Sequence, residues 1–287
     1  MLRAFYIVCA LFLLPLHGLQ AEPILAATAD QYYGPELTRQ FLRGDLKSKL
    51  HQVLTSHHIS QDGMADRIVE SCDQDESDHC YAHRKLSYKK ARQYMFGLLY
   101  LKDLQGQGYG IPTVYCQDNL TDQQFPEGQT LGPMQIPYSQ IVNAEHAWPQ
   151  SHFTGAYSKS LQKSDLHSLY PVKMRVNSTR SNHPFGEVEE IRSEPCDKAF
   201  LGKDHKGQTV FEPADSIKGN VARSLFYFSV RYHVGIDPDQ EKILRLWHTE
   251  DPVDEEEFVK HEETFHIQFV RNPFIDHPEW VEKIHNF

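Results

Sequence analysis

No stretch of this chain is apolar for long enough to cross a bilayer comfortably, which takes roughly 20 residues. The one run of that kind, Ala4 to Leu16, is shorter. The cysteines never stand in a CxxC spacing, which argues against zinc ribbons and fingers. Basic residues are in deficit: 29 Lys and Arg against 39 Asp and Glu give a formal net charge of −10. Proteins that bind polyanions are usually basic, so any such partner must be met locally. No internal repeat is present, and no segment is rich enough in Pro, Gly or Ser to act as a linker, so neither a solenoid nor a two-domain chain is indicated. Nor is the composition that of a disordered chain. Hydrophobic residues make up 40 % and charged residues 24 %, both ordinary for a globular protein.

What is there begins with a short positive start, Arg3, then the apolar run and Gly18-Leu19-Gln20-Ala21. This reads as a signal peptide over residues 1–21, cleaved after Ala21. The mature part, 22–287, is then periplasmic or secreted, free of the membrane, and carries a net charge of −11 once Arg3 is lost. Cys9 leaves with the signal. Cys72, Cys80, Cys116 and Cys196 remain, and an even number in an oxidising compartment suggests two disulfides. Four cysteines allow three pairings. Cys72 and Cys80 close a short polar loop, which favours joining them and leaves Cys116 with Cys196.

Apolar periodicity predicts a helix from about Glu36 to Ser56 and a second, capped by Ser87, from Tyr88 to Leu104. A strand is expected near Thr113 to Cys116, a long loop over 117–139, and a helical C-terminal part. In that part Val221 to Tyr232 reads as a buried helix and Gln240 to Trp247 as another. Asp254 with Glu257 makes a capping box for a helix reaching about Val270, and Pro278 opens a last short one. One mature domain of α+β class, mostly helical, is the simplest reading, and the monomer is the expected state.

The chemistry concentrates in residues 140–182. Gln140 to Phe153 reads QIVNAEHAWPQSHF, with strand material ended by Pro149. Asp165 to Tyr170 suits a second short strand, and Pro171 should turn the chain into a helix, Val172 to Ser181. This order of strand, loop, strand and helix suits phosphodiester hydrolysis. Histidine, with a pKa of ~6.5, is a natural base for a water, which points to His146. A hard divalent cation can offset the charge of the transition state, and it wants oxygen ligands such as Glu145 and the amide carbonyl of Asn177. On the expected helix Lys173, Asn177 and Arg180 share one face, placing cations where a phosphate would sit. From His146 to His183 there are five basic residues (Lys159, Lys163, Lys173, Arg175, Arg180) and one acid, Asp165, a local charge of +4. Much of the negative charge lies elsewhere, in Asp254 to Glu263. A focused positive cleft on an acidic body can bind DNA or RNA, with salt-sensitive affinity.

The words NAEHAWPQSHF, SDLHSLYP and RVNSTRSNHPFGEV, in that order, resemble the bacterial endonuclease I family of periplasmic and extracellular nucleases. FEPADSIKGNVARSLFYFSVRYH, LRLWHTEDPV and RNPFIDHPEWVEKI extend the resemblance over about Tyr32 to Ile284. It implies a ββα-metal core within the helical domain, with His146 as general base and Glu145 and Asn177 as Mg²⁺ ligands. Mn²⁺ or Ca²⁺ can stand in for the ion in binding. It also implies an endonuclease of little sequence specificity, acting on DNA and on RNA as the second candidate, and leaving 5′-phosphate and 3′-hydroxyl ends. Asp165 and His167 match the second-strand motif and are expected to support the base or the helix. The chain departs from the family pattern at Ala144 and Ser168. Where some relatives use an arginine between the strands to hold the product phosphate, this chain offers Lys159 and Lys163, with Arg180 as the other substitute. The competing reading is an exported nucleic-acid-binding protein with weak catalysis, which the intact Glu145, His146 and Asn177 argue against.

Other signals fail. His261 and His266 flank a zinc-protease-like stretch but stand five apart, about 140° around a helix, and read as helix surface. Asp73, Asp75 and Ser77 begin like a calcium loop, but Asp78 and Arg84 occupy the positions that need Gly and Glu. Trp148, Trp247 and Trp280 read as core.

Overall fold

A computed structural model describes residues 28–34, 37, 46–73 and 79–287. The expected signal peptide, most of the first half of the helix expected at 36–56, and most of the acidic loop after Asp73 lie outside the described residues.

Ala29–Tyr33 (α1) and Leu46–Thr55 (α2) lead into His57–Ile59 (β1), Arg67–Val69 (β2) and Cys80–Tyr81 (β3). These strands form a sheet in the order β2-β1-β3. Tyr88–Tyr94 (α3) continues through one π-helical turn, Met95–Leu99, into a second sheet of Lys102–Asp103 (β4), Tyr109–Thr113 (β5) and Asp118–Thr121 (β6). Val142–His146 (β7), Lys159–Lys163 (α4), Leu169–Lys173 (β8) and Met174–Arg180 (α5) come next. Glu190–Cys196 (β9), Ala199–Lys203 (β10) and Thr209–Glu212 (β11) make a meander. The chain ends in Lys218–Tyr232 (α6), Pro238–Glu250 (α7), Glu255–Gln268 (α8), Pro273–Asp276 (α9) and a 3₁₀ segment, Pro278–Lys283. The strand pairs are all antiparallel, which with the separate helices defines an α+β fold. Among the described residues no helix is long and apolar enough to cross a membrane.

α6 is the hub. Every residue of it but Asn220 is buried, its charged and hydroxyl side chains included. Phe228 stacks on Trp148 at 5.0 Å and Phe226 on Phe287 at 4.2 Å. The three tryptophans are all buried. The polar residues of α6 reach named partners. Arg223 donates to both carboxylate oxygens of Glu257 (2.8 and 2.5 Å), Ser224 donates to the His167 carbonyl, and the Tyr227 and Tyr232 hydroxyls donate to Asp165 at 2.9 and 2.7 Å.

Several sequence expectations need correction. The helix from Tyr88 ends by Leu99, not Leu104, although Ser87 caps it by accepting from the Lys90 amide. The 117–139 segment contains β6 and then folds back on that helix: Met134 donates its amide to the Gly97 carbonyl, and a Cβ at Gly97 would lie 2.3 Å from the Met134 nitrogen. The strand near Thr113 lies earlier, at Tyr109–Thr113. The C-terminal part is not purely helical, because the β9–β11 meander precedes α6. Asp254 caps α8, but Glu257 does not complete a capping box; its carboxylate is taken by Arg223. His261 is buried rather than on the helix surface.

The second strand is Leu169–Lys173, and Pro171 lies inside it rather than opening the helix. Pro171 stands opposite Ala144, and its carbonyl accepts the Val114 amide from the side away from β7. The missing N–H therefore points away from the β7 ladder and costs it nothing.

Burial holds several histidines neutral: His83 at about 3, and His167 and His248 at about 4. The unfolded chain binds these protons near 6.5, so between pH 6.5 and 4 the unfolded state carries more protons and stability falls as pH falls. The urea midpoint should drop from pH 7 to pH 5, and His248→Gln should drop less steeply. A variant with the wild-type slope would refute this assignment.

Candidate active site

β7 and β8 pair in the register Ala144 to Pro171, Glu145 to Tyr170 and His146 to Leu169. α5 follows β8 without a loop, and its first amide, Met174, donates to the Ile141 carbonyl at the start of β7. Two strands and a helix thus close on one another, with Glu145 and His146 at the end of β7 facing Asn177 on α5. Together with Ala144, Arg180 and Ser181 they line an open cleft of about 420 Å³. A regular strand would send Glu145 and His146 to opposite faces. Both reach this cleft because β7 ends there, at His146, before the turn at Pro149.

His146 is held in one tautomer. Its Nε2 lies 3.0 Å from the Lys163 carbonyl, which can only accept, so Nε2 carries the proton. Nδ1 is then the lone-pair nitrogen, and the Gln150 amide lies 3.3 Å from it as donor. Burial, with help from the Lys163 and Arg180 charges, lowers the imidazole pKa to about 4. The ring is therefore neutral and ready to accept a proton. Tyr88 of α3 lies against it at 5.7 Å, and Phe153 meets it edge-on at 6.0 Å.

Glu145 is buried and accepts on Oε1 from Tyr115 (3.0 Å) and from Arg180 Nη1 (2.8 Å). Burial raises its pKa, opposed mainly by Arg180. Asn177 donates through Nδ2 to Asn143 Oδ1 at 2.8 Å, which leaves its amide oxygen without a hydrogen-bond partner among the described residues. A carboxylate and a carbonyl oxygen beside a neutral imidazole are the donors a hard cation and a proton transfer require.

The remaining predicted residues scatter. Arg180 is buried: Nη1 also donates to the His146 carbonyl (2.9 Å), Nη2 donates to the Ala147 carbonyl (2.6 Å), and the guanidinium lies 4.4 Å over the Phe185 ring. Nη1 thus spends both its N–H groups and Nη2 one on protein groups, while the buried Nε has no acceptor among the described residues. Lys173 ends β8 rather than riding on the helix, and it pairs with Asp118. Lys159 is exposed on α4, whereas Lys163 sits beside His146, with Nζ 4.4 Å over the Tyr88 ring. Asp165 and His167 touch neither His146 nor α5. Asp165 caps the turn before β8 and receives Tyr227 and Tyr232, while His167 Nε2 donates to the Val270 carbonyl at 2.9 Å. They fasten the β7–β8 connection to the helical body. Cys72 is joined to Cys80 and Cys116 to Cys196; the second bond ties the turn after β5 to the end of β9.

Tyr115, Asn143, Gln150 and Tyr88 escaped the sequence reading. Their contacts come from tertiary proximity, and only Asn143 and Gln150, close in sequence to the Glu145-His146 pair, carried any signal. A second cluster with ligand-type atoms, His261, Glu262 and Asp276, is already neutralised. Arg271 binds both carboxylates and His261 pairs with Asp276 at 3.0 Å, which holds the Asp276 carboxyl well below its usual range.

The family model for Endonuclease I matches residues 43–279. Similar proteins include an extracellular ribonuclease of Bacillus subtilis (strain 168), 37 % identical over 163 residues, covering 50 % of this chain and 53 % of the relative. An extracellular ribonuclease of Bacillus amyloliquefaciens is 36 % identical, again over 50 % of this chain and 53 % of its own. A periplasmic deoxyribonuclease of Aeromonas hydrophila is 27 % identical over 57 % of this chain and 78 % of its own. The chain thus spans about half the length of the two ribonucleases.

Breaking the Arg180–Glu145 pair from one side leaves a buried charge alone, which costs about 3–5 kcal/mol. Arg180→Gln should lower the urea midpoint strongly, and Arg180→Gln with Glu145→Gln should recover part of the loss. A double variant no better than the sum of the singles would assign the effect to packing.

Proposed function

The chain belongs to the endonuclease I family, and from that premise we propose that it is an exported, Mg²⁺-dependent endonuclease cutting DNA, RNA or both with little sequence preference. Residues 22–287 act as one nuclease domain, with 140–182 as its ββα-metal core. The observation that carries the reading is the tautomer of His146: its Nε2 proton is committed to the Lys163 carbonyl, so the basic Nδ1 stands in the same cleft as Glu145 and Asn177. The extracellular and periplasmic nucleases among the relatives support both the export and the substrate class.

Glu145 and Asn177 would hold the ion, and their oxygens are the right donors for Mg²⁺. Bound there, Mg²⁺ would offset the negative charge that develops during phosphodiester hydrolysis. His146 takes the proton of the attacking water at Nδ1, and the phosphate's own charge opposes the lowering of the imidazole pKa. The Lys163 carbonyl keeps the ring from turning. Tyr115 and Arg180 fix Glu145, so Arg180 acts as a positioning residue and not as the phosphate clamp. Lys163 is the predicted cation best placed to meet a phosphate. As the water oxygen bonds to phosphorus the P–O3′ bond breaks, the 3′ oxygen takes a proton from solvent, and the products are 5′-phosphate and 3′-hydroxyl ends.

Digestion of plasmid DNA and of RNA with Mg²⁺, with EDTA, and by His146→Ala tests this. Cleavage is expected only for wild type with metal, and loss of the base should slow turnover about 10²–10⁴-fold. Asn177→Ala should need more Mg²⁺ and turn over slowly. Full activity in EDTA would sink the metal mechanism, and robust His146→Ala activity would remove the base.

A further inference from the structure

The cations expected to meet the substrate are partly consumed inside the protein, since Arg180 serves Glu145 and Lys173 serves Asp118. The positive charge beside the base comes largely from a different segment. Between His79 and Leu101 there is no Asp or Glu, and residues 84–92 hold Arg84, Lys85, Lys89, Lys90 and Arg92. Lys85, Lys89 and Lys90 are exposed, and among the described residues neither they nor Arg92 and Lys163 has a carboxylate partner. Arg92 lies 4.8 Å and Lys163 4.4 Å over the Tyr88 ring. The Nε of Arg92 is buried with no acceptor. Tyr88 itself packs against His146. The basic surface of α3 is therefore continuous with the proposed base, through one aromatic ring.

The geometry points to α3 as the phosphate-docking surface: the nucleic-acid backbone leaves the cleft on the Tyr88 side of His146. Arg92 and Lys163 hold the phosphate next to the scissile one, and Lys85, Lys89 and Lys90 hold those beyond. This rests on the nuclease reading of the cleft and adds where the substrate lies. A seven-residue helix is about 10 Å long, about three phosphates at 3.4 Å of rise each; α3 carries Lys89, Lys90 and Arg92 over that length, and Lys85 lies just before it. Tyr88 and Arg92 stand four apart on one helical face, while Ala91 and Met95 are buried on the core side. Lys89 follows about 60° further round the helix and Lys90, with Nζ 4.8 Å over the Tyr94 ring, about 160° round, so the charge spreads across the exposed arc of α3 from the Tyr88 side outward.

The test is equilibrium binding of labelled single-stranded and duplex DNA to the His146→Ala protein, read as the dependence of log K on log salt. Lys85→Gln/Lys89→Gln/Lys90→Gln should lower the slope by about 1 per lysine and weaken affinity for both probes. Lys198→Gln/Lys242→Gln/Lys283→Gln removes the same charge from exposed sites elsewhere and should leave the slope as it was. Arg92→Ala should weaken binding and, in the active protein, raise KM more than it lowers kcat; Arg92→Lys should restore the slope. Equal effects of the two triple variants, or no effect of either, would overturn the docking surface. Wild-type protein that binds with the predicted slope but cleaves neither DNA nor RNA would refute the nuclease reading and support the surface.

Discussion

The guanidinium of Arg180 joins the helix and the strand end from which the cleft is built. It comes from the last turn of α5, reaches the Glu145 carboxylate on β7, and closes the carbonyls of His146 and Ala147 where that strand ends. A buried carboxylate without a cation would take up a proton or pull the strand end toward water. A buried guanidinium without acceptors would be as costly. Each makes the other tolerable, and Phe185 covers the pair from β11's side of the molecule, where its backbone bridges to Phe211. The position of Glu145, the proposed metal ligand, is thus fixed before any ion arrives. The direction of the chain into the Pro149 turn, which sets His146, is fixed by the same side chain.

Around this pair the fold uses buried polar contacts as fasteners. Asp165, fully buried, receives two tyrosine hydroxyls from α6. His167 reaches the Val270 carbonyl, and Arg223 grips Glu257. Such groups are expensive to bury singly and secure when satisfied together. They hold a short strand pair, which would be marginal alone, against a helix that is almost wholly enclosed. The site can then remain open on one side while its floor stays rigid.

Segregated charge is how an acidic protein can meet the anionic substrate proposed for it. Acids crowd the start of α8, and Glu256 there is paired with Lys102 and Lys260. Cations without carboxylate partners among the described residues gather on and just before α3 and at Lys163. The net charge then governs solubility, and the local field governs approach.

The sequence by itself determined the family and the order of the candidate groups on which the proposed chemistry rests. The family words around Glu145, His146 and Asn177, the buried helix after Val221 and the caps at Ser87 and Asp254 are all legible, because each depends on neighbours within one or two turns of chain. Only the tertiary structure decided what the cations do. Arg180, Lys173 and Lys163 look alike in a local charge count. Their fates differ because Arg180 is enclosed with a carboxylate 35 residues earlier, Lys173 meets Asp118 on another strand, and Lys163 faces an aromatic ring from α3. The same holds for Pro171, which by local rules should open the helix but fits within β8 because its nitrogen faces away from the partner strand. Charge and donor capacity are written in residue type; which of them remains free for a substrate depends on what the fold brings alongside.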